Sequence, residues 1–149
     1  MADTFHLERF VEAQGGDATY DRALGELRAG RKRSHWMWFV FPQLAGLGRS
    51  VMAQRYAISG LDEARAYLSH PVLGPRLLAC TQAVLDLDER DPDVVLGSVD
   101  SMKLRSSMTL FERAAFDATA FAQVLDRSFD GERDAATTRL LDAATTALD

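Results

Sequence analysis

Two stretches of this sequence hold residues suited to chemistry. In the first, Arg28, Arg31, Lys32 and Arg33 place four positive charges within six residues. Ser34, His35 and the apolar run Trp36-Met37-Trp38-Phe39-Val40-Phe41 follow directly. The chain has 17 basic against 22 acidic residues and a formal charge of −5. A basic cluster in such a chain makes a local field opposite in sign to that of the whole and attracts an anion. A solvated loop after a helix C-terminus would use the same residues, because cations complement the dipole there. An imidazole titrates near neutral pH, so His35 is a candidate general acid or base. A structural histidine bonded to a carbonyl is the alternative. Trp36 and Trp38 offer faces on which a base or sugar can stack, although core packing is the commoner use of indoles.

The second stretch runs Asp100-Ser101-Met102-Lys103-Leu104-Arg105-Ser106-Ser107-Met108-Thr109-Leu110-Phe111. On a helix, Ser106 and Ser107 stand three and four residues beyond Lys103, so one stripe joins a cation to two hydroxyls. Serine and threonine are poor helix-interior residues because their hydroxyls compete for the backbone. Their clustering points to a tight helix crossing or a hydroxyl-lined pocket. A serine–lysine nucleophile pair is conceivable, but the lysine precedes the serines, the reverse of the order in acyl enzymes. Gly46-Leu47-Gly48-Arg49-Ser50 precedes a short helix expected over 51–57. Helix N-termini bind phosphate, yet this segment lacks the third glycine of a dinucleotide fingerprint and the Walker lysine. A tight turn explains it as well.

These residues define one candidate ligand site, between the Lys32–Gly48 stretch and the Lys103–Thr109 helix. Lys32, Arg33, Arg49 and Lys103 would supply charge, Trp36 and Trp38 a stacking face, and Gln43, Ser106 and Ser107 hydrogen bonds. The ligand would be a small anion such as a nucleotide or an ADP-ribose-like molecule. If the site is catalytic, His35 is the general acid or base and Lys103 the electrostatic stabiliser, for hydrolysis or group transfer at a phosphate or glycosidic centre. The rival is a non-enzymatic interaction module whose Arg28–Arg33 cluster docks an acidic partner. The net charge of −5 disfavours nucleic acid as that partner. His6, His35, His70 and Cys80 show no metal-ligand spacing, so no metal and no cofactor is expected. The acidic run Asp86, Asp88, Glu89, Asp91 and Asp93 surrounds a proline turn and reads as a solvated loop.

The elements that must position these residues are mostly helical. The 149 residues, 47% hydrophobic and 26% charged, suit one soluble globular domain over 1–149. The lone Cys80 excludes a disulfide framework. No apolar run approaches the ~18 residues of a membrane span. The first residues have no apolar signal region, so a reduced cytoplasmic setting is expected. Asp3 or Thr4 can cap a first helix bearing Leu7, Phe10 and Val11. Asp17 can cap a second, with Tyr20, Leu24 and Leu27 inward and Gly30 just past its end. Ser59-Gly60-Leu61-Asp62 fits a weak capping box, and that helix must stop before His70-Pro71. Leu73, Leu77, Cys80, Val84 and Leu87 form a long stripe. Asp91-Pro92 starts a short turn closed by Gly97. Asp100 is expected to cap the helix carrying Leu104, Met108, Phe111 and Ala115. Another helix with Phe121, Leu125 and Phe129 ends at Gly131. Asp134 starts the last, with Leu140, Leu141, Ala144 and Leu148 inward. Six consecutive large apolar residues from Trp36 would be apolar on every face of a helix, and no second strand is available to pair them. They are expected to form a short buried helix or turn. The fold class is therefore mainly α, a compact single-domain bundle of about six to eight helices with little or no sheet.

Several motifs carry a family resemblance. Lys32-x-Ser34-His35-Trp36-Met37-Trp38-Phe39-Val40-Phe41-Pro42-Gln43-Leu44-x-Gly46-Leu47-Gly48 and Asp100-x-x-Lys103-Leu104-x-Ser106-Ser107-Met108-Thr109-Leu110-Phe111 resemble the signatures of a bacterial family, the domain-of-unknown-function family numbered 1810. Phe10-Val11-x-Ala13-Gln14, Tyr56-Ala57-Ile58, Glu63-Ala64-x-x-Tyr67-Leu68 and His70-Pro71-x-Leu73-Gly74 extend the match over nearly the whole chain. The resemblance implies a compact, mostly α-helical single domain and no particular activity. The label calpastatin-like, sometimes given to the family, implies a protease inhibitor. Inhibitors of that type are disordered and polar, whereas this chain is rich in core-forming residues, so the label is set aside.

Overall fold

A one-turn helix made only of large apolar residues has to be enclosed, and the fold is arranged to enclose one. The computed structural model describes residues 3–148, with side chains through 144. Along it run α1 (Glu8–Gly15), α2 (Thr19–Arg28), α3 (Met37–Val40), α4 (Val51–Arg55), α5 (Leu61–Ser69), α6 (Leu73–Leu85), α7 (Pro92–Leu96), α8 (Ser98–Ala114), α9 (Thr119–Ser128) and α10 (Ala135–Leu148). Seven of these have eight residues or more, as expected, and α3, α4 and α7 are short additions of four or five residues. Among the described residues the extended pairing is a single isolated parallel bridge between Leu44 and Ile58. No helix among them is long and apolar enough to cross a membrane.

The apolar run forms the expected buried helix. Trp36, Met37, Val40 and Phe41 are almost wholly buried, and Trp38 keeps a partly open edge. A helix end inside the core needs partners for its carbonyls. Gln14 Nε2 donates to Phe39 O at 2.7 Å and to the Tyr67 hydroxyl at 3.2 Å. Around this centre α8 packs against α5, α7, α9 and α10. Aromatic rings link the layers. Phe10 meets Tyr67 edge-on at 5.1 Å, Tyr67 meets Phe111 at 5.4 Å, and Phe111 meets Phe121 at 6.0 Å.

Two close fits lock the frame. Gly74, at the start of α6, lies against the end of α5, where an added Cβ would stand 2.1 Å from Leu68 O. His70 Nδ1 accepts from Val72 N–H and Leu73 N–H at 3.1 and 3.2 Å, capping α6 in the His-Pro-x-Leu-Gly motif. The Arg9 guanidinium pairs with Glu63 at 2.9 Å. It also donates to the carbonyls of Phe5, His6, Arg55 and Ala57.

Most expected boundaries are found where turn chemistry is local. Asp3 accepts from Leu7 N–H and Glu8 N–H. Gly30, Gly97 and Gly131 take φ of +78°, +86° and +78°, Asp91 caps α7, and Asp134 caps α10 through Thr137 N–H. Four expectations need correction. Asp17 does not cap α2. Asp17 and Ala18 both adopt left-handed φ, and no side chain caps that helix. At Ser59–Asp62 the box is half made, because Glu63 rather than Asp62 reaches back, accepting from Ser59 N–H at 2.9 Å. Asp100 does not cap α8, which starts earlier, at Ser98, leaving Asp100 within its first turn. On α10 the buried pair is Thr137 and Leu141, while Leu140 is 38% exposed and Ala144 is exposed. Leu148 lies outside the described side chains.

Candidate functional site

The loop after α2 is held by a carboxylate that no sequence motif singles out. Glu26 accepts from Arg33 N–H at 2.6 Å, Ser34 N–H at 2.9 Å, the Ser34 hydroxyl at 2.6 Å and the Trp36 indole N–H at 2.9 Å. Partial burial pushes its pKa up, but the hydrogen bonds from Ser34, Arg33 and Trp36 outweigh that and hold it at about 2, against 4.5 in the free side chain. A folded pKa below the unfolded one means that this carboxylate stabilises the fold fully above about pH 4.5. The contribution fades as pH falls toward about 2. Glu26→Gln is expected to cost about 1.5–3 kcal/mol near neutral pH, the worth of a hydrogen bond to a charged acceptor. The gap between wild type and variant should close on acidification. Urea midpoints measured for both at neutral and at acidic pH check this. A gap that widens in acid contradicts it.

With the loop clamped, Lys32 N–H donates to Val95 O at 2.8 Å, and the Lys32 side chain turns toward the first turn of α8. Lys32 Nζ lies 2.9 Å from one oxygen of Asp100, and Lys103 Nζ lies 3.5 Å from the other. Each ammonium also rests on an indole. Lys32 is 5.2 Å from the ring centre of Trp36 and Lys103 is 5.1 Å from that of Trp38. The three charged side chains are 10%, 19% and 23% exposed for Lys32, Asp100 and Lys103. The structure thus joins the two stretches through Lys32, Lys103, Trp36 and Trp38. Asp100, weighed in the sequence only as a helix cap, is the group that bridges them.

The other candidates occupy different settings. Trp36 is fully buried and contributes its ring to the core. Arg33, His35 and Arg49 are exposed, and Gln43 is half-buried. Ser106 donates its hydroxyl to Met102 O at 3.1 Å, one turn back along α8. Thr109 does likewise to Arg105 O at 2.7 Å while accepting from Asp134 N–H. Among the described residues Ser107 Oγ is buried without a hydrogen-bond partner. The glycine segment makes a turn. Gly46 has φ +98°, a Cβ at Gly48 would stand 2.4 Å from that of Ala53, and Ser50 accepts from Ala53 N–H to start α4. Three clefts lie elsewhere. One of about 710 Å³ runs between Phe5, Leu44, Leu61 and α10. One of about 600 Å³ lies beside Arg65, Arg113 and Phe116, and one of about 460 Å³ beside Arg90 and Arg127. None of the three is lined by Lys32, Lys103, Trp38 or His35.

A residue pattern spread over the whole length invites comparison with other proteins. No curated protein matches the chain. A solved structure does: the conserved hypothetical protein Rv1873 from Mycobacterium tuberculosis is 51% identical, with a TM-score of 0.91, and the match covers 94% of this chain and 99% of that one. The family model described as "Protein of unknown function (DUF1810)" matches residues 4–141. With the family model matched over nearly its full length and the same fold in a structure 51% identical to it, the chain belongs to the DUF1810 family.

Proposed function

We propose that the protein binds a small phosphate-bearing, nucleotide-like anion at the Lys32–Asp100–Lys103 cluster, with Trp38 as the stacking face. The observation that carries this reading is the charge balance. Two ammonium groups share one carboxylate, which leaves one positive charge in excess at a place only partly open to water. Screening is weaker there than on the open surface, and two ammonium groups suit a phosphate. The indole under Lys103 provides a flat apolar face beside the charge. Arg33, exposed and next to Lys32 in the loop, adds longer-range attraction. Turnover would extend the reading, with His35 moving a proton and Lys103 steadying negative charge.

Titration calorimetry with inorganic phosphate and a series of nucleoside mono- and diphosphates tests it through two variants of opposite sign. Lys103→Gln should weaken binding about tenfold, and Asp100→Asn, which removes the competing carboxylate, should tighten it by a similar factor. The reading fails if no phosphate compound binds or if both variants leave the affinity unchanged. Loss of turnover with retained affinity in His35→Ala would assign the proton transfer. A second reading, an interaction module, is favoured by the exposure of Arg28, Arg31 and Arg33. Arg28→Glu with Arg31→Glu would abolish partner capture under that reading and leave phosphate binding nearly intact under the first.

A further inference from the structure

The exposed arginines lie beside exposed acids of the same chain. Arg31 and Arg33 flank Lys32, whose N–H is bonded to Val95 O. Gly30 packs beside Leu87, so that a Cβ there would stand 3.7 Å from that side chain. The basic loop therefore runs alongside the segment from Leu87 to Val95, which carries exposed Asp88, Glu89, Asp91 and Asp93. Among the described residues no ion pair joins the two rows. Next to them Val94, Val99 and Met102 are 59%, 69% and 69% exposed. Val99 and Met102 are three residues apart on α8, and Val94 lies on α7, which packs against it.

This combination selects its occupant. A uniformly acidic partner drawn to Arg31 and Arg33 would also meet four carboxylates, and a basic partner would meet the arginines. A face carrying both signs side by side is complementary to a copy of itself turned about a two-fold axis, where each residue meets the partner of its own counterpart. We infer that this face is the contact of a homodimer. Arg31 and Arg33 of one copy oppose Asp88 and Asp93 of the second, and Val94, Val99 and Met102 of both copies close its apolar part. The valines and methionine supply affinity, and the charges fix register and exclude other partners. The inference does not rest on the ligand reading, although the face adjoins the Lys32–Asp100–Lys103 cluster.

Light scattering and sedimentation of the full chain over a wide concentration range, at low ionic strength, should give a mass that doubles. Arg31→Glu with Arg33→Glu reverses the arginines of the contact, and Asp88→Lys with Asp93→Lys reverses the carboxylates opposed to them, so that within either variant like charges meet across the axis. Each double variant should remain a monomer by itself, and an equimolar mixture of the two should associate one to one. All four side chains are exposed, and circular dichroism verifies that each variant is folded. Should either fail to fold, Val94→Ser with Val99→Ser serves in its place and should also yield a monomer. The inference is overturned if the wild type stays monomeric throughout, if the double variants dimerise like the wild type, or if their mixture does not associate.

Discussion

Replacing Arg9 by methionine is expected to cost about 3–5 kcal/mol, the range for breaking a buried ion pair from one side. Arg9 and Glu63 are 15% and 4% exposed, and their atoms approach to 2.9 Å. Methionine preserves much of the apolar stem, which packs with the guanidinium over Phe10 at 4.3 Å. It leaves the Glu63 carboxylate buried without a counter-charge and the carbonyls of Phe5, Arg55 and Ala57 without the guanidinium donor. Denaturant unfolding measures the loss. The double variant Arg9→Met with Glu63→Leu separates the two causes. Removing both charges should restore part of the stability, while the carbonyls of Arg55 and Ala57 and the Ser59 N–H remain unpaired. A double variant weaker than the single one by the full cost of a second charged partner would show that attraction between the charges contributes little.

Gly74→Ala is expected to lose about 3 kcal/mol or more, at the upper end of overpacking. The obstacle is the backbone carbonyl of Leu68, 2.1 Å from the new Cβ. A carbonyl ending one helix beneath the start of the next moves only if α5 and α6 separate. Gly25 is the internal control. It lies within α2, is exposed, and has nothing within 4 Å of the place a methyl group would take. There alanine should add about 0.5–1 kcal/mol through helix propensity. Thermal melts of the two variants should shift in opposite directions. A Gly74→Ala protein as stable as the wild type would mean that the helices part easily.

The contrast between these glycines shows which parts of the fold a sequence discloses. Gly30, Gly97, Gly131, Asp91-Pro92 and Asp134 act through bonds to residues within a few positions of themselves, so their roles follow from local chemistry. The apolar run from Trp36 to Phe41 is legible too, because its length and lack of a polar face leave burial as the remaining choice. Glu26 and Gly74 are not. Glu26 gains its role from donors seven to ten positions away along a loop whose path is set by α7, and Gly74 from the neighbouring helix end. Arg9 reaches Glu63 across 54 positions. For the candidate site, the two stretches meet in the structure through Lys32 and Lys103, and helical spacing marks Lys103 in the sequence. The bridging role of Asp100 is hidden there because it depends on α8 beginning at Ser98, two residues before the cap that the sequence suggests.

The enclosed turn α3 has a kinetic consequence. Four residues cannot sustain a helix by themselves, since nucleation costs more than one turn returns. Its place becomes secure only when Gln14 on α1 has reached the Phe39 carbonyl and Glu26 on α2 the Trp36 indole. Both tryptophans of the chain belong to this segment. Indole emission during refolding therefore follows the last cooperative closure of the molecule rather than the early growth of its long helices.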